Sequence, residues 1–251
     1  MDSVKSVLKK NPPFTALILG SGWNKVVNKV KVIKLWDYND IFQIKSTVPG
    51  HEGKLIYGTL AKKPVLILSG RFHIYEGHSA QKAVEPIQLI KKLDVTTLIT
   101  TSACGGLNPK YQVGDFVILN DLLTLFSPTP LVGAKFQDMS QIYDQTLQRL
   151  AETAMNRLGL TYHQGVYVYY HGPQYESPAD KMALTHLGAD VVGMSTVPET
   201  IMAKYLGLKV LGLAFVTNLA FVKHDHKDVL AQSEKASATM SRLLHQIVEK
   251  I

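Results

Sequence analysis

The segment Gly70–Gly77 places four polar side chains within six residues, shortly after the apolar run Pro64–Leu68. These side chains are Arg71, His73, Tyr75 and Glu76. An arginine offers a forked pair of donors that matches a phosphate group, and a histidine offers another donor. Open α/β sheets bind ligands at the carboxyl ends of their strands. The segment is therefore a candidate anion site, favoured over a solvated turn.

Two glycine-containing turns follow other apolar runs and could approach the same ligand. Gly20–Gly22 (Gly-Ser-Gly) follows the run Phe14–Leu19, and Gly105-Gly106 follows Thr97–Thr101. Glycines let backbone N–H groups approach an anion, and a plain turn remains the alternative for each. The Gly-Lys-Ser/Thr ending of a P-loop is missing. Cys104 is interpreted as a small buried residue rather than a nucleophile, since no base accompanies it.

Two further polar groups suit a flat heterocyclic ligand. Tyr175 and Glu176 follow a tyrosine-rich run, so a ring that can stack lies beside a carboxylate that can accept from an N–H edge. Thr217 and Asn218 end the last apolar run. An asparagine offers a donor and an acceptor together, and helix capping is the open alternative. No metal site is predicted, and no Gly-x-Ser-x-Gly elbow supports a serine triad.

Short apolar runs alternate with amphipathic segments, which predicts an α/β fold. The predicted strands are Phe14–Leu19, Pro64–Leu68, Thr97–Thr101, Phe116–Leu119, Val166–Tyr170, Val191–Met194 and Val210–Val216, with Lys54–Leu60 as an edge or hairpin strand. The predicted helices are Ser79–Leu93, kinked or started late at Pro86, Ser140–Leu158, Pro178–Leu187, Val197–Leu206 and His226–Lys250. We expect one domain over residues 1–251, with a central, largely parallel or mixed β-sheet flanked by helices.

The composition agrees with a globular chain and limits its partners. Of 251 residues, 46% are hydrophobic and 19% are charged, which excludes a disordered or fibrous chain. The net charge of +7 attracts anions, but the lysines are scattered, so no nucleic-acid partner is expected. No run approaches a membrane span, and the first residues lack the apolar core of a signal peptide. A single cysteine suits a reducing cytoplasm.

Seven motifs in order resemble the trimeric purine nucleoside phosphorylase family, from about Phe14 to the final helix. They are Gly20–Gly22, Pro49–Gly53, Gly70–Gly77, Gly105–Pro109, Gly172–Glu176, Val192–Glu199 and Thr217-Asn218. The resemblance implies that a purine nucleoside and phosphate give the free base and (deoxy)ribose 1-phosphate. It implies no organic cofactor or metal, with inorganic phosphate as co-substrate. It also implies a homotrimer, in which an aromatic residue, here Phe136, enters the neighbouring site.

The resemblance also implies a role for each site residue. Phosphate would contact Ser21, His51, Arg71, His73, the backbone N–H of Ala103, and Ser195. Ribose would contact Tyr75 and Met194, with His226 at the 5′-hydroxyl. The purine would contact Tyr175, Glu176, Thr217 and Asn218, with Cys104 and Gly105 lining its pocket. Asn218, His73 and Glu176 would be catalytic: Asn218 would bridge the purine N7 and 6-oxo group, and Glu176 would accept from N1–H.

Three residues depart from the family pattern. Ser102 stands where Asn is common, Cys104 where Ala is common, and Tyr175 where Phe is common, which adds a hydroxyl to the pocket. His226 is preferred over His224 because Asp228 follows it in the expected register.

Two alternatives remain at this point. One is a methylthioadenosine phosphorylase, a branch whose pattern has Gly-Thr-Gly in the first turn and Asp at the position of Asn218. Ser21 and Asn218 therefore favour 6-oxopurine nucleosides such as inosine and guanosine. A non-catalytic nucleoside-binding protein is disfavoured by the intact polar set.

Overall fold

A nine-stranded mixed β-sheet organises the chain in the computed structural model, which describes residues 2–8, 11–44, 52–223 and 225–251. The strands are β1 Thr15–Leu19, β2 Lys31–Asp37, β3 Lys54–Leu60, β4 Lys63–Ser69, β5 Thr97–Gly106, β6 Phe116–Leu123, β7 Tyr162–Tyr169, β8 Val191–Gly193 and β9 Lys209–Leu219. The α-helices are α1 Asp2–Leu8, α2 Tyr38–Phe42, α3 Ala80–Ala83, α4 Glu85–Lys92, α5 Gln145–Leu158, α6 Pro178–His186, α7 Val197–Tyr205 and α8 His226–Lys250. Two 3₁₀ helices span Asn24–Lys29 and Ile74–Glu76.

The strand order is β2-β3-β4-β1-β5-β8-β7-β6-β9, and β9 also pairs with β5. The second pairing of β9 closes the five strands β5, β8, β7, β6 and β9 into a ring. β1 is parallel to both β4 and β5, and β5 is parallel to β9. The carboxyl ends of β1, β4, β5 and β9 therefore meet at one edge of the sheet, which is where the polar turns predicted from the sequence lie.

Both faces of the sheet are covered by apolar side chains, which explains why the strand sequences are apolar at consecutive positions. Ala16 and Ile18 of β1 pack in the cluster that contains the buried side chains of α4 and α7. Leu17 and Leu19 point to the opposite face, into the cluster that contains those of α5 and α8. The alternation follows from the two-residue period of a strand.

The predicted strands are confirmed, with differences at their ends. β5 runs five residues beyond Thr101, and β9 runs three residues beyond Val216, so both strands extend into the polar turns. Lys54–Leu60 is the first strand of a hairpin with β4, and its two-residue turn, Ala61-Lys62, has positive φ at both positions. It is not an edge strand, because β2 pairs with its other side.

The helix boundaries show two differences from the sequence prediction. Ser79–Leu93 is two helices, α3 and α4, separated at Val84 because Pro86 lies in the first turn of α4. The helix predicted from Ser140 begins instead at Gln145, where the Asp144 carboxylate caps it by accepting from the Leu147 N–H at 3.0 Å. Among the described residues, no helix is long and apolar enough to cross a membrane.

We predict that Asp144→Ala lowers the free energy of unfolding by about 1 kcal/mol, because it removes the side-chain cap of α5. Asp144→Ser should restore most of that loss, since serine also caps helices. Ser140→Ala is the matched control and should change stability by less than about 0.5 kcal/mol, since Ser140 is exposed and precedes the helix. Urea unfolding measures all three variants. A larger loss for Ser140→Ala than for Asp144→Ala would contradict the observed helix start.

Candidate functional site

An open cleft of about 700 Å³ lies at the carboxyl ends of the central strands. Its lining comes from segments at β1, β4, β5, β7, β8 and β9 and from the start of α8. The lining residues are Gly20, Ser21, Arg71, His73, Ser102, Ala103, Cys104, Gly105, Tyr175, Glu176, Val192, Gly193, Met194, Ser195, Thr217, Asn218, His226 and Val229. The cleft thus joins the anion-suited and the heterocycle-suited motifs of the sequence in one site.

Arg71 is only 4% exposed and is held by several groups of the protein. Its Nη1 donates to Thr196 Oγ1 at 3.2 Å, and its Nη2 donates to the Thr101 carbonyl oxygen. Its Nε lies 3.5 Å from a carboxylate oxygen of Glu199, which is also buried. A buried ion pair costs solvation free energy, so these added hydrogen bonds are what make the buried guanidinium tolerable. The result is a cation fixed in position beside the cleft.

Thr196 reaches Arg71 from an unusual backbone conformation. Its φ is 71°, a region that non-glycine residues rarely adopt, and it stands immediately before α7. Its Oγ1 lies 3.3 Å from Ser195 Oγ as well as in contact with Arg71. Strained backbone of this kind is concentrated at functional sites. Here it places two neighbouring hydroxyl groups beside the guanidinium.

His73 is oriented by Glu76. A carboxylate oxygen of Glu76 accepts from both the His73 backbone N–H, at 2.9 Å, and the ring Nδ1, at 3.0 Å. The Nδ1 edge of the ring therefore faces Glu76, and Nε2 lies on the other edge of the ring. Burial lowers the pKa of His73, although the hydrogen bond to Glu76 opposes that shift. The ring is therefore mainly neutral near pH 7, and it stacks on Tyr75 with ring centroids 4.6 Å apart.

The glycine of the first turn allows that turn to lie against β5. The Gly20 N–H donates to Thr101 Oγ1 at 3.1 Å. A Cβ atom at position 20 would lie 2.5 Å from the Thr101 carbonyl oxygen, which is too close for any side chain. Ser21, the next residue, lines the cleft together with Ser102, Ala103 and Arg71.

A β-bulge aims Asn218 into the cleft. In the β5–β9 pairing, Cys104 is opposite Val216 and Gly105 is opposite Asn218, so Thr217 is an extra residue. Thr217 Oγ1 lies 3.2 Å from the Cys104 carbonyl oxygen and 3.0 Å from Asn218 Oδ1. Because Thr217 Oγ1 lies on the Oδ1 side, the donor nitrogen Nδ2 is on the other side of the amide. A Cβ at position 105 would lie 3.1 Å from that nitrogen, so the glycine gives it room.

Tyr175 and Glu176 also line the cleft. Glu176 is buried, and Tyr175 is about one-third exposed at the rim. The Tyr175 hydroxyl lies 3.3 Å from Nδ1 of His226, the first residue of α8. Met194 lines the cleft as well, and its Sδ would be 2.4 Å from a Cβ at position 172, which is a glycine with φ 71°. These three residues bring an aromatic ring, a carboxylate and a thioether to the cleft.

Most of the residues predicted from the sequence meet in this cleft. Thirteen line it directly: Ser21, Arg71, His73, Ala103, Cys104, Gly105, Tyr175, Glu176, Met194, Ser195, Thr217, Asn218 and His226. Tyr75 is adjacent, through its stacking on His73. Phe136 is 94% exposed and does not line the cleft of its own chain. His51 lies outside the described residues. Burial raises the pKa of the Cys104 thiol well above its usual range, which argues against a thiolate nucleophile.

Glu199 and Thr196 were not predicted as site residues, although both lie in the motif Val192–Glu199. The sequence does contain a feature that points to a role for Glu199. It is the one acidic residue of α7, a helix whose first seven residues are all buried. A carboxylate in so apolar a helix needs a cationic partner. Local sequence could not show that the partner is Arg71, which lies 128 positions earlier.

Comparison with known proteins shows which family the chain is similar to. The model of the phosphorylase superfamily matches residues 15–249. Purine nucleoside phosphorylase 1 of Geobacillus stearothermophilus is 38% identical over 252 residues, covering 95% of this chain and 92% of the relative. The mouse (Mus musculus) purine nucleoside phosphorylase is 37% identical over 258 residues, covering 95% and 89%.

Solved structures of a Schistosoma purine nucleoside phosphorylase have the same fold. The complex with hypoxanthine superposes with a TM-score of 0.91 at 36% identity, covering all of this chain and 96% of that one. The complex with inosine gives 0.90 at 35% identity, covering 100% and 95%. Since the family model and these relatives match nearly the whole chain, it belongs to the phosphorylase superfamily and, within it, to the purine nucleoside phosphorylases.

Proposed function

We propose that the chain catalyses phosphorolysis of purine (deoxy)ribonucleosides, with 6-oxopurine nucleosides such as inosine and guanosine as preferred substrates. The observation that carries the proposal is that one cleft contains two chemically different groups of residues, which we call its phosphate half and its base half. One half holds the fixed cation Arg71 with hydroxyl and imidazole groups, and the other holds Glu176 and Asn218 near an aromatic ring. A dianion and a heterocyclic base fit these halves, and ribose fits between them.

The phosphate half suits an oxyanion that must also react. Arg71 is held in place before any ligand binds, so little reorganisation is needed when phosphate enters. Ser21 and Ser195 can donate hydroxyl hydrogens, and the Ala103 N–H can donate from the backbone. His73 presents Nε2, which in the neutral ring accepts the proton that a monohydrogen phosphate carries. His51 completes the proposed set from outside the described residues.

The base half suits a purine with an oxygen at position 6. The Asn218 amide nitrogen has two hydrogens, and the purine N7 and 6-oxo group are adjacent acceptors. Glu176 can accept from the N1–H that a 6-oxopurine carries. Thr217, Cys104 and Gly105 shape the floor, and Tyr175 and Met194 contact the ring and the sugar. A 6-aminopurine would place a donor against the Asn218 donor.

The proposed reaction exchanges one bond at the anomeric carbon. A phosphate oxygen bonds to ribose C1′ while the C1′–N9 bond breaks, and its electron pair passes to the purine. The purine anion then takes a proton, the equivalent of the one that monohydrogen phosphate gives up, so the products are free base and ribose 1-phosphate. Negative charge grows at N7 and the 6-oxo group during the step, where the Asn218 amide donates. Stabilisation that appears only in the transition state accelerates the reaction.

In the experiment that tests this proposal, purified protein is incubated with inosine in the presence and absence of inorganic phosphate, and the release of hypoxanthine is measured. Release that requires phosphate supports phosphorolysis, and equal release without phosphate would indicate hydrolysis instead. A parallel sample dialysed against a chelator tests the proposal that no metal or organic cofactor is needed, for which full activity is expected. Binding of inosine with no release in either sample would support the non-catalytic alternative.

We propose that the active form is a homotrimer located in the cytoplasm, where Cys104 would stay reduced. Support comes from the exposed apolar side chains of the segment Leu125–Phe136, including Phe136 itself. We predict that sedimentation gives about three times the mass of one chain. Phe136→Ala should lower kcat/KM for inosine while the assembly persists. A fully active monomer would contradict both the assembly and the role of Phe136.

We predict that replacing the anion-suited donors weakens the use of phosphate more than that of the nucleoside. His73→Ala, and Arg71→Ala combined with Glu199→Gln, should each raise the KM for phosphate about ten- to a hundred-fold, the range for hydrogen bonds to charged groups. Glu199 is changed together with Arg71 because a buried carboxylate without its partner is itself strongly destabilising.

Phosphate saturation at fixed inosine measures this effect, and nucleoside saturation at high phosphate is the comparison. Arg149→Ala, an exposed arginine of α5 outside the cleft, is the matched control and should leave both constants unchanged. Unaltered phosphate KM values in both site variants would remove the anion assignment.

We predict that Asn218→Asp shifts preference from inosine toward adenosine. A carboxylate only accepts hydrogen bonds, so it repels a 6-oxo group and pairs with a 6-amino group. The rate on inosine should fall about 10²–10³-fold, the usual cost of one lost transition-state donor. The measurement is the ratio of kcat/KM for adenosine to that for inosine, with Asn156→Asp on α5 as control. A ratio that stays constant or moves toward inosine would show that Asn218 does not contact position 6.

A further inference from the structure

Tyr175 and His226 form a contact across the rim of the cleft. The Tyr175 hydroxyl lies 3.3 Å from His226 Nδ1, and the two residues are 51 positions apart in the chain. Both line the cleft. Phenylalanine, which is common at the position of Tyr175 in the family that this sequence resembles, has no hydroxyl for such a bond. The contact therefore gives this chain a feature that its family pattern does not supply.

The chemistry of the two groups decides which of them donates. Burial, with the nearby Glu176 and Asp225 carboxylates, raises the pKa of Tyr175, so the phenol keeps its proton near neutral pH. A protonated phenol donates to an unprotonated imidazole nitrogen, which places the hydrogen of the neutral ring on Nε2. No group among the described residues hydrogen-bonds to His226 Nε2. The ring thus presents one oriented donor for a ligand.

We infer that the Tyr175 hydroxyl, acting through His226, makes the cleft selective for nucleosides that carry a 5′-hydroxyl group. This inference rests on the proposed function. An Nε2–H donor is satisfied by a hydroxyl oxygen, whereas a 5′-methyl or thioether group is a poor acceptor or none. A site built to hydrogen-bond a substrate hydroxyl rejects the analogue that lacks it, because a desolvated polar group is left unpaired. Tyr175 is thus a positioning residue for the 5′ end as well as a contact for the purine.

The dual position of Tyr175 determines the design of the test. Loss of its hydroxyl could also alter contacts with the base, which would affect every nucleoside that carries that base. Inosine and 5′-deoxyinosine carry the same base, react with the same co-substrate, inorganic phosphate, and differ only in the 5′-hydroxyl. The ratio of their kcat/KM values therefore isolates the 5′ interaction from stacking, folding and phosphate binding.

The experiment compares that ratio in the full-length protein, Tyr175→Phe, His226→Gln and the double variant. In Tyr175→Phe, the preference for inosine should fall about three- to ten-fold, the equivalent of one ordinary hydrogen bond. The double variant should lose little more than His226→Gln alone, because Tyr175 acts through His226. Tyr170→Phe is the matched control. Its hydroxyl bonds Asp180 at 3.1 Å outside the cleft, and its ratio should equal that of the unmodified protein.

A measurement independent of turnover records the tautomer directly. The ¹⁵N shifts of the His226 ring, assigned by comparison with His226→Gln, should show protonated Nε2 in the unmodified protein and a more mixed tautomer in Tyr175→Phe. An unchanged ratio and unchanged shifts in Tyr175→Phe would overturn the inference while phosphorolysis of inosine remains. An equal loss on both substrates would also overturn it and assign the hydroxyl to the base. Absence of phosphate-dependent release by the unmodified protein would overturn the proposed function and, with it, this inference.

Discussion

The pairing of β5 with β1 on one side and β9 on the other is the constraint on which the cleft depends. Thr101 of β5 accepts from Arg71 through its carbonyl oxygen, and its hydroxyl donates to the Ile18 carbonyl at 2.8 Å. Farther along the strand, the Cys104 carbonyl oxygen lies 3.2 Å from the Thr217 hydroxyl at the bulge of β9. One strand thus supports the anion-suited half at its middle and the base-suited half at its end, so the spacing of the two halves is fixed by backbone hydrogen bonds.

The Arg71–Glu199 pair shows how a phosphate site can exist before phosphate arrives. An unpaired guanidinium at 4% exposure would lose hydration worth several kcal/mol, so a nearby carboxylate makes its burial tolerable. The same carboxylate reduces the positive field that a phosphate dianion meets. Thr196 and the Thr101 carbonyl oxygen hold the guanidinium with neutral groups. Preorganisation is therefore obtained at the cost of some attraction for the anion.

Local sequence predicts the parts of this molecule that are governed by local physics. The strand cores are apolar because both faces are covered, and α8 begins at His226 as predicted because Asp225 and Asp228 form a capping box there. The edge strand β2 was missed, since its side chains are largely exposed and carry no buried pattern. The bulge at Thr217 and the Arg71–Glu199 pair depend on residues more than a hundred positions apart, and hydrophobic periodicity contains no information about such pairings.

Tyr175 departs from the family pattern at a place where the geometry is least restrictive. Asn218 is confined by the bulge and by the space left at Gly105, and Arg71 is fixed by three groups. Tyr175 stands at the exposed rim, where an added hydroxyl meets His226 rather than a packed wall. A rim position can therefore acquire a polar group without disturbing the groups that would contact the reacting atoms. The other two departures, Ser102 and Cys104, are buried in β5, so among the three it is Tyr175 whose hydroxyl is added with the least repacking.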